Sequence, residues 1–177
     1  MKLDIFFRSD ISTFGDVEDF KHFLPRILEL MQNANSDILD DFICYEKLNY
    51  SEWETWDIQE INAIDNYFTA LWIKIIKDES SSARDIESAL EVIYKYASVN
   101  KAFEIWEKHT SKNNLIYIIE TALNGCQFSN DEISTKFSKW IATSLTLNKI
   151  EELFFETADK ELANRISIAF TMIQRTA

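Results

Sequence analysis

Asp19, His22 and Arg26 form the arrangement in this sequence that comes nearest to a catalytic or metal-binding site. On a helix they fall on successive turns, so a carboxylate, an imidazole and a guanidinium would share one face. A metal ion would need further ligands, such as the second carboxylate–histidine turn found in di-iron bundles. The other histidine, His109, has no acidic residue three or four positions before it. We therefore predict no metal and favour a structural role for His22 and Arg26, either beside polar groups freed by Pro25 or at the surface.

Nucleophilic catalysis has equally little support in the sequence. Cys44 and Cys126 lie in apolar helical contexts without a spaced pattern, which predicts buried free thiols in a reducing compartment. The sequence contains no nucleophile elbow, phosphate-binding loop or dinucleotide fingerprint. Adjacent carboxylates such as Glu151 and Glu152 diverge by about 100° on a helix and cannot face one substrate together. We assign no catalytic residue and no cofactor.

Three aromatic residues in the connection 50–57, YSEWETWD, are the remaining candidates for a binding site. Tyr50, Trp53 and Trp56 belong to residue types that are prominent in binding hot spots. Such residues more often lock a corner of the chain onto the core. We favour the core position and keep a recognition patch as the alternative.

These candidates must be positioned by helices, and the helix that carries the histidine has a distinctive sequence. In the stretch 13–31, TFGDVEDFKHFLPRILELM, apolar residues recur at helical spacing, and a glycine followed by Asp16 marks a helix start. Pro25 cannot donate a hydrogen bond to the carbonyl of Lys21, which predicts a kink or a stop and restart. We predict an architectural role for the stretch, with Phe23 buried, so that Phe23→Ala costs about 3 kcal/mol or more.

Composition and patterning predict an all-α fold. The chain has 177 residues, 46% of them hydrophobic, with only two glycines and one proline. Because tight turns between strands need glycine, this scarcity favours helices joined by capped polar corners. We predict about nine helices in antiparallel hairpins, arranged as a short HEAT-like solenoid or a compact helical bundle. They form a single domain, residues 1–177, with a weak subdivision near the linker-like tract 78–85.

Capping residues predict where individual helices begin and end. Asp57 caps a helix that reaches about Lys77, and Gly125 terminates a later one. Ser129, followed three positions later by Glu132, has the pattern of a capping box and predicts the start of another helix.

Trp72, Trp106 and Trp140 recur at intervals of 34 residues (106 − 72 and 140 − 106). That period is typical of paired-helix repeats that stack into a solenoid. The residues beside the tryptophans do not repeat, so chance competes with the repeat interpretation. The spacing supports successive helical hairpins without indicating a named repeat family.

The formal net charge of −12, from 30 acidic and 18 basic residues, bounds the classes of partner. A surface of this sign repels phosphate backbones and anionic lipids, so we predict neither nucleic-acid nor membrane binding. The apolar patch at the start is too short for a signal peptide and no stretch approaches a membrane span, which predicts a cytoplasmic protein. We favour solubility as the reason for this charge, and keep a basic protein partner as the alternative.

With these residues set out, the first half of the chain resembles a family of uncharacterised bacterial cytoplasmic all-α proteins. The family pattern is threonine–aromatic–glycine, an acidic stretch running into HFLPR, two tryptophans, a glutamate, an alanine and an ALW ending. The matching residues are Thr13, Phe14, Gly15, Asp19, His22, Phe23, Leu24, Pro25, Arg26, Trp53, Trp56, Glu60, Ala63, Ala70, Leu71 and Trp72. Phe14 stands where tryptophan is more common, and beyond 11–78 only the segment 152–162 is similar. Because the family has no established activity, the resemblance implies no functional residue.

For function, the sequence favours a non-catalytic protein–protein interaction module over an enzyme. A specific form of such a module is an acidic immunity protein that blocks a basic toxin. The alternative is an enzyme with a site around Asp19, His22 and Arg26. A pocket with converging polar groups at those residues would favour the enzyme, whereas a broad apolar or acidic groove would favour binding.

Overall fold

A computed structural model of the protein describes residues 16–33, 45–126 and 128–176. Every regular element in these ranges is helical, which confirms the predicted all-α fold. The chain divides into two compact units, Met1–Asn66 and Tyr67–Ala177. The tract 78–85, where we predicted a weak subdivision, lies inside the second unit, and the single domain stays a prediction.

From residue 58 onward, helices follow one another after short connections. In chain order, the α-helices are α1 (Val17–Asn33), α2 (Ile58–Lys77), α3 (Ala83–Tyr96), α4 (Val99–Lys108), α5 (Lys112–Asn124), α6 (Asp131–Ile141), α7 (Ser144–Glu156) and α8 (Lys160–Thr176). Residues 45–50 are also helical, and Trp53–Thr55 form a 3-10 helix. Across the ranges described above, none of the helices combines the length and the apolar character needed to cross a membrane.

We predicted a kink or a stop and restart at Pro25. Helix α1 runs without a break through this residue, so the stop and restart is wrong, and the kink stays a prediction. Pro25 is exposed. The carbonyl of Lys21, which loses its helical donor to the proline ring, therefore lies on the solvent side, where water can bond to it. The helix tolerates its proline because the missing hydrogen bond falls away from the core.

Phe23 is not part of the core face of α1, and its predicted burial is wrong. Its side chain is 40% exposed. The adjacent Leu24 is buried, and one position along a helix turns a side chain by about 100°. The buried stripe of the helix consists of Phe20, Leu24, Ile27 and Met31.

Two predicted helix boundaries in the middle of the chain are confirmed. Helix α2 follows Asp57, whose Oδ1 accepts a hydrogen bond from the backbone N–H of Gln59 at 2.8 Å, and ends at Lys77. Gly125 ends α5 with a φ of 83°, and its N–H donates to the carbonyl of Thr121 at 2.8 Å. Only glycine adopts such a φ without steric strain.

The capping box predicted to begin at Ser129 is wrong by one residue. The N-cap of α6 is Asn130, whose side-chain oxygen accepts hydrogen bonds from the N–H groups of Glu132 and Ile133. The N–H of Ser129 instead donates to the carboxylate of Glu91 at 2.6 Å. Asparagine caps helices as well as serine does, so a tertiary contact decided between two neighbouring caps.

Trp72, Trp106 and Trp140 meet in the core of the second unit. They lie on α2, α4 and α6, which are every second helix, so the 34-residue interval corresponds to one helical hairpin. The ring centroids of Trp72 and Trp106 are 5.2 Å apart in an edge-to-face arrangement, and those of Trp106 and Trp140 are 4.8 Å apart and stacked. Successive hairpins are thus joined through one row of indoles.

The last helix gives the second unit a compact packing. Helix α8 packs most extensively against α5 and also contacts α6 and α7. In a solenoid, each hairpin contacts only the hairpins next to it in sequence. Helix α8 instead packs against α5, although α6 and α7 lie between them in the chain. The C-terminal helices therefore form a compact bundle rather than an open solenoid.

Candidate functional site

The carboxylate of Asp19 accepts a backbone hydrogen bond at the start of α1 and is not positioned as a catalytic group. The Oδ1 of Asp16 accepts hydrogen bonds from the N–H groups of Glu18 at 2.9 Å and Asp19 at 3.0 Å. In return, the Oδ2 of Asp19 accepts from the N–H of Asp16 at 3.2 Å. This is a reciprocal capping arrangement, so the carboxylate already satisfies backbone donors at the helix start.

His22 and Arg26 are exposed on α1 and have separate local contacts. The guanidinium of Arg26 pairs with the carboxylate of Glu29 at 2.6 Å, and the ring of His22 lies edge-to-face with that of Phe23 at 4.9 Å. No hydrogen bond or ion pair between described residues joins Asp19, His22 and Arg26 to one another. A general acid–base pair needs hydrogen-bond contact with its partner, and these side chains do not converge on a shared point.

A metal centre has no better support. Within 16–33, 45–126 and 128–176, no group of three or more histidine, cysteine, aspartate or glutamate side chains is placed to hold an ion. Cys126 is a free, half-buried cysteine at the end of α5, and Cys44 lies outside the described residues. In the part of the chain that the structure describes, the histidine, cysteine and carboxylate side chains are therefore not clustered into a metal site.

Of the three aromatic residues in the connection 50–57, two are packed inward. Trp53 is buried, and Trp56 is half-buried with its indole N–H donating to the carbonyl of Ser51 at 2.9 Å. Its ring lies 6.2 Å from that of Phe20 in an edge-to-face contact. Tyr50 alone points outward, with 78% of its surface exposed. The corner anchors the first unit, and the three rings do not form one exposed patch.

Lys21 links α1 to this corner through contacts that the sequence does not predict. Its Nζ lies 3.1 Å from the carboxylate of Glu60, 3.4 Å from that of Glu18 and 4.7 Å from the centre of the Trp56 ring. Desolvation disfavours the ammonium ion, but hydrogen bonds and charge attraction from Glu60 and Glu18 outweigh it and raise the pKa of Lys21. These contacts hold α1 against the corner, which is an architectural role.

The corner also contains a residue in a rarely used backbone conformation. Glu52 has a φ of 52° and a ψ of 42°, the left-handed helical region. For a residue other than glycine this conformation costs about 1–2 kcal/mol. Thr55 holds it in place, because both its N–H and its hydroxyl donate to the carbonyl of Glu52 at 2.8 Å. The connection is therefore a fixed turn.

A groove of about 190 Å³ lies between α7 and α8 and is the candidate binding site. Most of its walls are aromatic or aliphatic, and one carboxylate lies at its edge. Its lining residues are Glu151, Phe154, Phe155, Ile166, Ser167, Phe170 and Thr171. The side chain of Phe155 is 76% exposed and that of Phe154 is 37% exposed. The groove is thus an apolar surface that no other element of the described chain covers.

Helix α7, which forms one wall of this groove, carries three carboxylates without a partner among the described residues. Glu151, Glu152 and Glu156 are exposed and make no hydrogen bond or ion pair with any described residue. Two nearby cations have contacts elsewhere in the second unit. Lys149 donates to the carbonyl of Glu107 and to the hydroxyl of Thr110, and Arg165 pairs with Glu120. The α7 wall of the groove therefore has a negative rim, which we define as Glu151 in the lining together with Glu152 and Glu156 on the same helix.

The sequence contains only part of the information that would predict this groove. The buried positions of α7 are Thr146, Ile150 and Leu153, which share one helical face. That spacing leaves Phe155 on the opposite face, where a phenylalanine is unexpected. The second wall comes from α8, and nothing local in the sequence indicates how the two helices pair.

Tyr117 is a buried titratable group of the second unit, and it makes stability depend on pH. Its hydroxyl donates to the carboxylate of Glu87 at 3.3 Å. Burial, and then the negative charge of Glu87, raise its pKa well above the usual value. The protonated form thus contributes stability in full below the unfolded pKa of about 10, and this contribution is lost as the pH rises above it.

Tyr117→Phe should flatten the loss of stability in alkaline solution. Above about pH 10, the free energy of unfolding of the variant should fall less steeply than that of the wild type, by about 1.4 kcal/mol per pH unit. Urea denaturation across a pH series measures both slopes. Tyr50→Phe, the same change on an exposed side chain, is the control. Equal slopes in wild type and Tyr117→Phe would contradict the assignment.

The comparisons with known proteins add no assignment. No family model, curated protein or solved structure matches the chain. The resemblance to a bacterial protein family stays a prediction, and function must be inferred from the geometry of the site.

Proposed function

We propose that the protein is a non-catalytic protein–protein interaction module that binds its partner at the groove between α7 and α8. The observation that carries the proposal is the exposure of Phe155, whose phenyl ring borders an apolar groove and faces water. Burying such a ring against a partner is favourable by roughly 1.5–3 kcal/mol. Aromatic side chains that are rimmed by polar groups are typical of protein-binding surfaces.

The dimensions of the groove favour a macromolecular partner over a small substrate. Small-molecule sites usually enclose roughly 300–1,000 Å³ and bury most of the ligand. The groove, at about 190 Å³, is smaller and open, and has room for one or two side chains of a partner. The alternative, an enzyme with a site around Asp19, His22 and Arg26, gains no support, because those side chains have separate local contacts.

The proposal includes the nature and the location of the partner. A net charge of −12 and the negative rim of the groove favour a basic protein over nucleic acid or membrane. The proposed location is the cytoplasm. A specific form of this function is an immunity-type inhibitor that blocks a basic toxin. A basic nuclease encoded in the neighbouring reading frame would support that form.

Phe155→Ala should remove a specific partner from complexes captured out of a lysate of the source cells. Phe23→Ala is the matched control, since it removes a partly exposed phenyl ring that does not line the groove. Proteins retained by the wild type and Phe23→Ala, but lost by Phe155→Ala, are the expected result, read by quantitative mass spectrometry. Loss upon His22→Ala with retention by Phe155→Ala would overturn the proposal.

A further inference from the structure

We infer that the occupant of the groove is a basic amphipathic helix of the partner, with an arginine or lysine side chain lying across Phe155 and its charge at Glu151. The inference rests on the proposed function and deepens it by naming the chemistry of the partner. Three features support this occupant: the aromatic wall of the groove, the carboxylates of α7 and the net charge of the chain.

The aromatic wall suits the stem of a long basic side chain. The rings of Phe154 and Phe155 are 5.3 Å apart and lie edge-to-face. Their edge-to-face contact leaves the exposed Phe155 ring accessible to a cation. Arginine and lysine place apolar methylene groups along such surfaces while their charged ends reach a polar group.

Glu151 is placed to receive that charged end. It precedes Phe155 by four residues on α7, so its carboxylate and the phenyl ring are neighbours on one face of the helix. It is the charged member of the groove lining among the described residues. An apolar ring next to an unpaired carboxylate is complementary to a guanidinium or ammonium group on an aliphatic stem.

The charges around the groove extend this preference to a basic segment. Glu152 and Glu156 add two carboxylates on α7 that pair with no described residue, and α7 ends at Glu156, where its helix dipole is negative. A helix with leucine-like residues on one face and basic residues at its flanks matches an apolar groove with an acidic rim. A groove between two helices is a common binding site for a third, amphipathic helix.

A second copy of this chain fits less well. A symmetric pair formed through this groove would set the Glu151 side of one copy against the same surface of the other. Chains with a net charge of −12 also repel one another. The rim thus disfavours self-association and favours a partner of opposite charge.

The test is a titration of the full chain with synthetic helical peptides. One peptide carries leucines on one face and arginines at the flanks, and a matched peptide has glutamates in place of the arginines. We expect the arginine peptide to bind and the glutamate peptide not to bind, measured by calorimetry at low salt. Phe155→Ala and Glu151→Gln should each weaken the binding roughly tenfold. The matched controls, Phe23→Ala and Glu104→Gln, change an exposed side chain that does not line the groove, and should leave the affinity unchanged.

Each other result would overturn the inference in a defined way. Equal binding of the two peptides would show that charge does not select the partner. Unchanged affinity of the arginine peptide for Phe155→Ala would show that the peptide does not bind at the groove. Dimerisation that depends on Phe155, seen by analytical ultracentrifugation, would make a second copy the occupant. If Phe155→Ala loses a captured protein while the arginine peptide fails to bind, the proposed function stands and the basic helix is wrong.

Discussion

Trp106→Ala should lower the free energy of unfolding by about 3–5 kcal/mol. Trp106 is fully buried at the centre of the row of indoles, between Trp72 and Trp140. Its ring also lies 6.0 Å from that of Phe137 and 6.0 Å from that of Tyr117. Removing it leaves a cavity that touches successive hairpins of the second unit. Urea denaturation followed by circular dichroism measures the loss, and a value below 1 kcal/mol would contradict this packing.

The indole N–H groups of Trp72 and Trp106 differ in their hydrogen bonding, which allows a comparison of two substitutions within the same row. The N–H of Trp72 donates to the carbonyl of Ala102 at 2.9 Å, whereas that of Trp106 is buried without a hydrogen-bond partner among the described residues. Replacement by phenylalanine removes both the donor and part of the ring. A buried donor without a partner is destabilising, so its removal offsets part of the lost packing. Trp106→Phe should therefore destabilise less than Trp72→Phe, and the reverse order would contradict the assignment.

Phe20→Ala should lower the free energy of unfolding by about 3–4 kcal/mol, the second large effect. Phe20 is buried on α1 and packs edge-to-face with Trp56 at 6.2 Å between ring centroids. Its removal opens the contact between α1 and the corner 50–57. Chemical denaturation of the variant measures this effect.

Phe23→Ala is the matched control for this change, because it makes the same substitution three residues later on the same helix. With 40% of its side chain exposed, Phe23 should contribute about 1 kcal/mol or less. This expectation replaces the larger value predicted from the sequence. Equal losses for the two variants would show that α1 presents a different face to the core.

Local capping and composition predict much of the helical fold. Asp57 and Gly125 mark helix boundaries through hydrogen bonds made within a few residues of each, so the sequence contains all that is needed. The 34-residue interval of the tryptophans also predicts hairpins, because one hairpin occupies about that length. Scarcity of glycine excludes most strand connections.

Features that depend on tertiary contacts could not be predicted in the same way. Phe23 and Leu24 are equally apolar, and only the packing of α1 decides which of them turns inward. Ser129 and Asn130 are both good caps, and the contact with Glu91 decides between them. Pro25 predicts a break in the helix, and only the packing of α1 shows that the proline lies on its exposed face.

The candidate site shows the same limit. Asp19, His22 and Arg26 have the spacing of a site, but spacing does not reveal that Asp19 caps a helix or that Arg26 pairs with Glu29. The groove that replaces them is built by two helices that only the fold brings together. The spacing of the buried positions on α7 indicates that Phe155 is exposed, but it does not indicate that α8 supplies the second wall.

Photo-crosslinking in the source cells tests the central claim, binding at the groove between α7 and α8, most directly. A photoreactive phenylalanine analogue is placed at Phe155 in one variant and at Phe23 in another, since both positions are accessible. We predict a covalent adduct with one basic protein from position 155 and none from position 23. An adduct from position 23 alone, or no adduct from position 155 while wild-type chain captures a partner, would contradict the account.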